Sequence, residues 1–194
     1  MGRGVLIVFV KAPRPGEVKT RLAAGIGAEQ AAAAYRALAE GVLERTAPLA
    51  QEYERLVFHA PPEAGAEIAL WLPAETLVPQ EGPDLGARMD AAFGAAFERG
   101  ARKAVLVGSD VPQLGRTHVG QAFDALEDVP VVLGPAADGG YYLVGLRERR
   151  PELFQGIEWG TAGVLEATLA RCAALGLRPR LLATLVDIDT AADL

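Results

Sequence analysis

The sequence is poor in cysteine and histidine, the residues on which disulfide frameworks and many metal centres depend. Its 194 residues include one cysteine, Cys172, and two histidines. A single cysteine excludes an intrachain disulfide, and Cys172 lies in an alanine- and leucine-rich helical pattern, so we predict that it packs in the core. We expect His59 and His118 to be structural or surface residues rather than catalytic ones.

A long hydrophobic run is also absent from the chain. The longest run, Val5 to Val10, has the length of a strand and falls short of the roughly 18 apolar residues that indicate a membrane span. It lacks the basic lead-in and the small-residue cleavage site of a signal peptide. We therefore expect a cytoplasmic protein with no membrane span.

Positive charge is scarce overall but concentrated in one place. The net charge of -6 argues against a general nucleic-acid-binding protein, which needs a basic surface to neutralise phosphates. Against this background, Lys11, Arg14, Lys19 and Arg21 cluster in one early segment. Arginine and lysine side chains in a loop that follows a strand can bind phosphate oxygens. The alternative is a solvated surface loop, because the segment contains no Walker or Gly-x-Gly-x-x-Gly pattern.

Strand and helix patterns alternate along the full length, which predicts one three-layer α/β/α domain over residues 1–194. Apolar runs predict strands at 4–10, 55–59, 76–78, 104–107, 131–134 and 141–146. Helical patterns cover 17–24, 28–47, 67–72, 117–126 and 162–175, with a further helix after Asp84. Only six residues separate the strands at 131–134 and 141–146. This is too few for a parallel crossover, so the sheet is expected to be mixed and mostly parallel, with one antiparallel strand.

Asp110 follows the central predicted strand, Ala104 to Val107, in the segment Gly108-Ser-Asp-Val-Pro112. Ligands of open α/β sheets bind beyond the carboxyl ends of the strands. A divalent cation that also contacts substrate phosphates needs only one or two protein carboxylates. Asp110 is therefore a candidate metal ligand. The alternative is that it caps a helix or closes a turn.

Two further turn segments carry candidate site residues. Asp84 is a natural helix N-cap, which places Arg88 about one turn into a helix, where a cation requires an anionic partner. That partner is either a ligand phosphate or a neighbouring carboxylate. Asp138 precedes Gly139 and Gly140, so it either forms a turn or makes a polar contact in the site.

The C-terminal segment contains Asp187 and Asp189, which share one face if Val186 to Asp189 is extended. The local alternative is a capping role, because Thr190 and Asp193 have the spacing of a capping box. Both interpretations can hold at once.

Six motifs, taken together, resemble those of a known bacterial family. They are Val10 to Leu22, Gly82 to Met89, Gly108 to Pro112, Gly134 to Gly145, Trp159 to Thr161 and Asp187 to Thr190. In order and spacing, they resemble an uncharacterised bacterial family of GT-A-fold, glycosyltransferase-like proteins in the nucleotide-diphospho-sugar transferase superfamily. The segment from Asp110 to Pro112 and the pair Asp189-Thr190 are more distantly similar to molybdenum cofactor guanylyltransferase and phospholactate guanylyltransferase.

The resemblance implies a GT-A-type mixed sheet, Mg²⁺ or Mn²⁺ as cofactor, and a set of site residues. Asp110 would be the first metal ligand, and Asp189 or else Asp187 the second. Asp138 would line the acceptor or sugar pocket and, with Asp110, serve catalysis. The phosphate-binding group would be Lys11, Arg14, Lys19, Arg21 and Arg88.

The implied function is transfer from a nucleotide-diphosphate-sugar donor to a small-molecule acceptor. A second hypothesis is nucleotidyl transfer from a nucleoside triphosphate to a phosphorylated small molecule, with release of pyrophosphate. The Gly-rich loop of typical nucleotidyltransferases is absent, and the segment at Asp110 has one carboxylate where many glycosyltransferases have an Asp-x-Asp motif, so both classes remain open. A third hypothesis is a nucleotide-binding protein without catalysis.

Overall fold

A computed structural model describes residues 4–50 and 52–193, and the strands in these residues form one seven-stranded sheet. Each strand is a short apolar run of the kind that a sheet covered on both faces requires. In chain order the strands are β1 (Gly4–Lys11), β2 (Tyr53–Ala60), β3 (Leu77–Pro79), β4 (Lys103–Val107), β5 (Val131–Pro135), β6 (Tyr141–Leu146) and β7 (Arg180–Leu181).

The connecting helices follow the alternation that the sequence predicts. In chain order they are α1 (Thr20–Ile26), α2 (Ala28–Arg45), α3 (Gly65–Trp71), α4 (Leu85–Glu98), α5 (Arg116–Asp128) and α6 (Val164–Ala174). Short 3₁₀ turns lie at Pro62–Ala64, Pro151–Phe154 and Ala191–Asp193. The N-cap prediction for α4 is confirmed, because a side-chain oxygen of Asp84 accepts a hydrogen bond from the Ala87 amide at 2.8 Å.

The strand order is β3-β2-β1-β4-β6-β5-β7, and β6 runs antiparallel to both of its neighbours, β4 and β5. The other pairings, β1 with β2 and β4, β2 with β3, and β5 with β7, are parallel. The prediction of a mixed sheet with one antiparallel strand is confirmed. As a result, the carboxyl ends of β1 and β4 lie at the same edge of the sheet as the start of β6.

Helices cover the sheet on both faces, as predicted. Because side chains alternate along a strand, Leu6 and Val8 of β1 pack with α2, α3 and α5, whereas Val5 and Ile7 pack with α4 and α6. Cys172 of α6 is fully buried in the second of these layers, which confirms its predicted packing role. Within the described residues, no helix has both the length and the apolar character that a membrane crossing requires.

One predicted helix begins later than expected, and the C-terminal segment has the predicted capping contact. The helix expected at 17–24 begins only at Thr20, because Lys19 has a left-handed backbone (φ 48°, ψ 49°) that an α-helix cannot include. Residues 186–189 lie outside the seven strands of the sheet. The carboxylate of Asp193 accepts a hydrogen bond from the amide of Thr190 at 2.7 Å, as the capping interpretation predicts.

Candidate active site

A cleft lies at the edge of the sheet where β1 and β4 end and β6 begins. It has a volume of about 540 Å³ and is lined by the segment after β1, the segment after β4, the start of α4 and the start of β6. Its charged lining residues are Lys11, Glu17, Lys19, Arg21, Arg88, Asp110 and Asp189. We call this space the main cleft. Its position is the one that open α/β sheets use for ligands.

Lys19 is the central charged residue of the main cleft. Its Nζ lies 2.9 Å from Oδ2 of Asp110 and 3.5 Å from Oδ1 of Asp189, and only 7% of its side chain is exposed. A non-glycine residue in the left-handed region costs conformational energy and is often found at functional sites. Lys19 therefore has a strained backbone, and it is also the residue whose ammonium lies between the two carboxylates.

Arg21 extends this charge network towards solvent. Its Nη1 donates a hydrogen bond to Oδ2 of Asp189 at 2.9 Å, and 73% of its side chain is exposed. Lys19 directly precedes α1 and Arg21 is the second residue of that helix, so a single local conformation directs both cations to the carboxylates. The exposed guanidinium retains donors for a further anion, since one guanidinium carries five N–H groups.

Backbone hydrogen bonds hold Asp110 in place on the turn that follows β4. The amide of Gly108 donates to the carbonyl of Tyr142 at 3.1 Å, which attaches the turn to β6. The carbonyl of Asp110 accepts from the amide of Ile188 at 3.3 Å. This second contact joins the turn to the C-terminal segment and brings Asp110 close to Asp189, although the two residues are far apart in the sequence.

A buried tyrosine, Tyr35, forms hydrogen bonds with the same turn and with the end of β1. The hydroxyl of Tyr35 in α2 accepts a hydrogen bond from the amide of Lys11 at 2.7 Å and shares a second, at 2.9 Å, with the hydroxyl of Ser109. Burial raises the pKa of Tyr35 to about 12, so the phenol stays protonated at neutral pH. Tyr35 therefore joins the end of β1 to the residue that precedes Asp110.

A second cleft of about 330 Å³ adjoins the first and shares Asp110, Asp189 and Arg21 with it. We call it the side cleft. Its other lining residues include Asp138, Gly140, Trp159, Thr161 and Asp187. Burial, together with the nearby carboxylate of Asp138, raises the pKa of Asp187. The side cleft is therefore acidic, and the indole of Trp159 forms part of its wall.

The turn 138–140 shapes the side cleft. Oδ1 of Asp138 accepts a hydrogen bond from the Gly140 amide at 2.8 Å, so the turn role of Asp138 is present together with its place in the cleft. Gly139 has φ +91°, and an added Cβ would lie 2.1 Å from the carbonyl oxygen of Ala162. Only glycine fits here, because both the backbone conformation and the contact with the chain before α6 exclude a side chain.

The predicted metal ligands have a suitable arrangement for a divalent cation. Asp110 and Asp189 both contact the same Lys19 ammonium, so their oxygens converge on a point that already favours positive charge. In the described part of the chain, no group of three or more acidic, histidine or cysteine side chains is arranged to hold a metal ion. A donor set of two carboxylates fits Mg²⁺ or Mn²⁺ when substrate phosphates and water complete the coordination shell.

The remaining predicted phosphate-binding residues divide into two groups. Lys11 and Arg88 line the main cleft, and Nε of Arg88 donates to the carbonyl of Gly82 at 3.1 Å. Arg14 lines neither cleft. Its guanidinium lies 2.8 Å from Glu67 of α3 and 3.5 Å from Glu17, because the proline-rich turn directs it away from the strand ends.

The polar residues of the main cleft that were not predicted as site residues include two with extensive hydrogen bonds, Tyr35 and Gln80. Tyr35 has the spacing of a core residue in α2, and nothing in the sequence indicates that its hydroxyl reaches β1 and Ser109. Gln80 directly follows β3, and its position at the end of a strand is a signal that could have identified it. Both line the main cleft and are almost fully buried.

The sheet order, the clefts at its carboxyl edge and the paired carboxylates define a protein with the nucleotide-diphospho-sugar transferase fold. The chain belongs to the bacterial family DUF2064, described as "Uncharacterized protein conserved in bacteria", whose sequence profile matches residues 43–161. A search of the curated proteins finds no match.

Solved structures with the same fold include glycosyl- and nucleotidyltransferases. A Desulfovibrio desulfuricans G20 protein, provisionally described as a nucleotide-diphospho-sugar transferase, is 36% identical over 98% of this chain and 84% of its own, with a TM-score of 0.91. The 4-diphosphocytidyl-2C-methyl-D-erythritol synthase of Anaerococcus prevotii is 8% identical, covers 99% and 92%, and has a TM-score of 0.64. Glucosyl-3-phosphoglycerate synthase of Mycobacterium tuberculosis, solved with Mn²⁺ and UDP, is 13% identical, covers 99% and 74%, and has a TM-score of 0.62.

Proposed function

We propose that this protein is a transferase that requires Mg²⁺ or Mn²⁺ and takes a sugar from a nucleotide-diphosphate-sugar donor. The observation that carries the proposal is the meeting of Asp110 and Asp189 with Lys19 and Arg21 at the carboxyl edge of the sheet. The assignment of the 36% identical Desulfovibrio protein supports the same class of reaction.

Asp110 and Asp189 are the proposed metal ligands, with Asp187 as the alternative second ligand. When bound, the cation supplies positive charge against the negative charge that develops on the leaving diphosphate. Lys19, which now pairs with both carboxylates, can turn its ammonium to a phosphate oxygen. Arg21 and Arg88 can contribute the planar donors that guanidinium groups offer to phosphates, and Lys11 a further point charge.

The proposed acceptor site is the side cleft. Its wall contains Trp159, a flat apolar surface of the kind on which a sugar ring can pack, and Asp138, whose carboxylate can accept a hydrogen bond from an attacking hydroxyl. Among the described residues that line it, Arg21 is the only cation, beside four aspartates. A bound divalent cation would compensate Asp110 and Asp189. The two carboxylates that remain, Asp138 and Asp187, favour a neutral hydroxyl acceptor over a phosphorylated one, since like charges repel at close range.

Nucleotidyl transfer is the second candidate function. It is favoured by the single carboxylate that follows β4, where an Asp-x-Asp pair is absent. That reaction requires the phosphate of an acceptor to attack the α-phosphate of a nucleoside triphosphate, and the acidic side cleft opposes such an acceptor. We therefore rank it below sugar transfer.

Product analysis separates these functions. The protein is incubated with Mn²⁺, hydroxyl and phosphorylated acceptors, and either nucleotide-diphosphate sugars or nucleoside triphosphates. Sugar transfer releases a nucleoside diphosphate, and nucleotidyl transfer releases pyrophosphate. Asp110→Asn is expected to reduce turnover by about 100-fold, as loss of a metal ligand should. Asp124→Asn, an exposed change on α5 outside both clefts, serves as the control. Nucleotide binding without either product would instead favour a binding protein.

A further inference from the structure

Gln80 is a buried polar residue in the main cleft that has no part in the charge network described above. It directly follows β3, only 6% of it is exposed, and it lines the main cleft. Its backbone amide donates to the carbonyl of His59 at 2.9 Å. This contact continues the pairing of β3 with β2 by one residue, which fixes the backbone from which the side chain starts.

The side-chain amide of Gln80 has one available orientation. Its Nε2 donates to the carbonyls of Phe58 at 2.9 Å and Val10 at 3.2 Å. Both partners are acceptors, so the atom that faces them must be the nitrogen, and both of its N–H groups are used. No described residue donates to Oε1, and Oε1 is not sealed from solvent. Gln80 therefore presents a fixed hydrogen-bond acceptor with no partner.

The surroundings of Gln80 differ from those of Lys19. Gln80 contacts β1 and β2, whereas Asp110 follows β4, on the other side of β1. The lining of the cleft also contains apolar side chains from β1, α4 and β4, namely Phe9, Met89 and Leu106. The main cleft thus combines a charged region, an apolar surface and a single oriented acceptor.

We propose that Gln80 recognises the base of the bound nucleotide by accepting a hydrogen bond from an N–H group on the base edge. This inference rests on the proposed function, which places the diphosphate beside Lys19 and Arg21. A nucleobase is flat and apolar on its faces and carries N–H donors on its edge, so it matches the surface and the acceptor together. The ligand class is a nucleoside diphosphate whose base keeps that N–H, and a base methylated on this nitrogen is rejected.

Calorimetric titration with Mn²⁺ tests the inference on the intact protein. The probes are UDP, CDP, GDP and ADP, pyrophosphate, which has no base, and a methylated form of whichever diphosphate binds most tightly. In that form methyl groups replace every N–H at the nitrogen concerned: one methyl group on a ring nitrogen, as in N3-methyl-UDP, or two on an amino group, as in N4,N4-dimethyl-CDP. Native protein is expected to bind the unmodified nucleotide at least about tenfold more tightly than the methylated one. This comparison requires no variant and so does not depend on how a variant folds.

Gln80→Leu removes the acceptor, and Gln121→Leu, an exposed change on α5, is the matched control. Gln80→Leu is expected to lose about tenfold in nucleotide affinity, to bind methylated and unmodified nucleotide equally, and to keep its pyrophosphate affinity within about twofold. The inference is overturned if native protein binds both nucleotides equally, or if nucleotide and pyrophosphate affinity fall together. If neither binds to native protein, the proposed function fails as well, which distinguishes the two failures.

Discussion

The ammonium nitrogen of Lys19 lies 2.9 Å from Oδ2 of Asp110, across a sequence separation of 91 residues. Lys19 also reaches Asp189, so its ammonium occupies the space between the two proposed metal ligands. The chain thus provides its own cation at this point. A bound metal ion and the Lys19 ammonium would compete for the same two carboxylates.

We expect Lys19→Met to bind Mn²⁺ more tightly than the native protein when no nucleotide is present. Removing a competing charge next to two carboxylates should raise metal affinity by about three- to tenfold, on the scale of partly exposed ion pairs. Nucleotide affinity should fall by about tenfold, because a phosphate-binding cation is lost. Paramagnetic resonance of free Mn²⁺ measures the first effect, and calorimetry measures the second.

Lys103→Met is the control for this experiment, because Lys103 lies at the opposite end of β4 and pairs with Glu127. It should leave both affinities unchanged. Weaker Mn²⁺ binding by Lys19→Met would show that Lys19 organises the carboxylates rather than competing for them.

Arg14 and Arg21 are expected to differ in their effect on nucleotide binding. Arg21→Gln should weaken it by about tenfold, because an exposed guanidinium beside Asp189 is lost. Arg14→Gln should change it by less than about twofold, because Arg14 pairs with Glu67 and Glu17 and lines neither cleft. Titration with UDP and GDP at constant ionic strength measures both. Equal losses would mean that the segment around Arg14 rearranges when a ligand binds.

Asp187 should make the metal-free protein less stable as the pH rises from acid towards neutrality. Burial and Asp138 raise the pKa of Asp187. In the pH window between the ordinary aspartate pKa and this raised pKa, the native state therefore holds a proton that the unfolded chain has lost. The stability from this group is fully present below that window and is lost as the pH rises through the raised pKa. Asp187→Asn stays neutral and should melt at a higher temperature than native protein above the window.

Scanning calorimetry in the presence of a chelator, from about pH 3 to pH 7, measures this difference. Asp124→Asn is again the control, since that residue is exposed. A melting-temperature difference between Asp187→Asn and native protein that is the same at every pH would contradict the assignment to proton binding.

Gly139→Ala should destabilise the protein by at least about 2 kcal/mol. Its Cβ would meet the carbonyl oxygen of Ala162 at 2.1 Å, on a backbone with φ +91°. Gly120→Ala is the matched change in the interior of α5, where nothing lies within 4 Å of the added Cβ, and it should stabilise by roughly 0.5–1 kcal/mol. Urea denaturation measures both. A similar effect of the two changes would mean that the 138–140 turn tolerates movement.

The sequence predicts the fold well because each signal it uses is local. Apolar runs mark the strands, six residues are too few to cross from β5 to a parallel β6, and Asp84 has the chemistry of an N-cap. Each of these features is decided by residues close together in the chain, so one sequence is sufficient. The left-handed backbone at Lys19 is an exception, because long-range contacts with Asp110 and Asp189 accompany a conformation that lysine rarely adopts.

The site is less predictable because it depends on which way side chains turn. Arg14 and Lys19 lie in the same basic segment, yet one pairs with α3 and the other with Asp110. Tyr35 has the spacing of an ordinary core residue, and its hydroxyl is meaningful only once α2 packs below β1 and β4. Such contacts join residues from distant parts of the chain, and composition and periodicity carry no record of them.

The reversed direction of β6 places the turn that precedes this strand at the same edge of the sheet as the segments that follow β1 and β4. Since β6 starts where β1 and β4 stop, the short hairpin before it delivers the 138–140 turn directly beside Asp110. If the side cleft holds the acceptor as proposed, a change in this hairpin would alter the choice of acceptor and leave the proposed donor-binding segments on the far side of Asp110 unchanged.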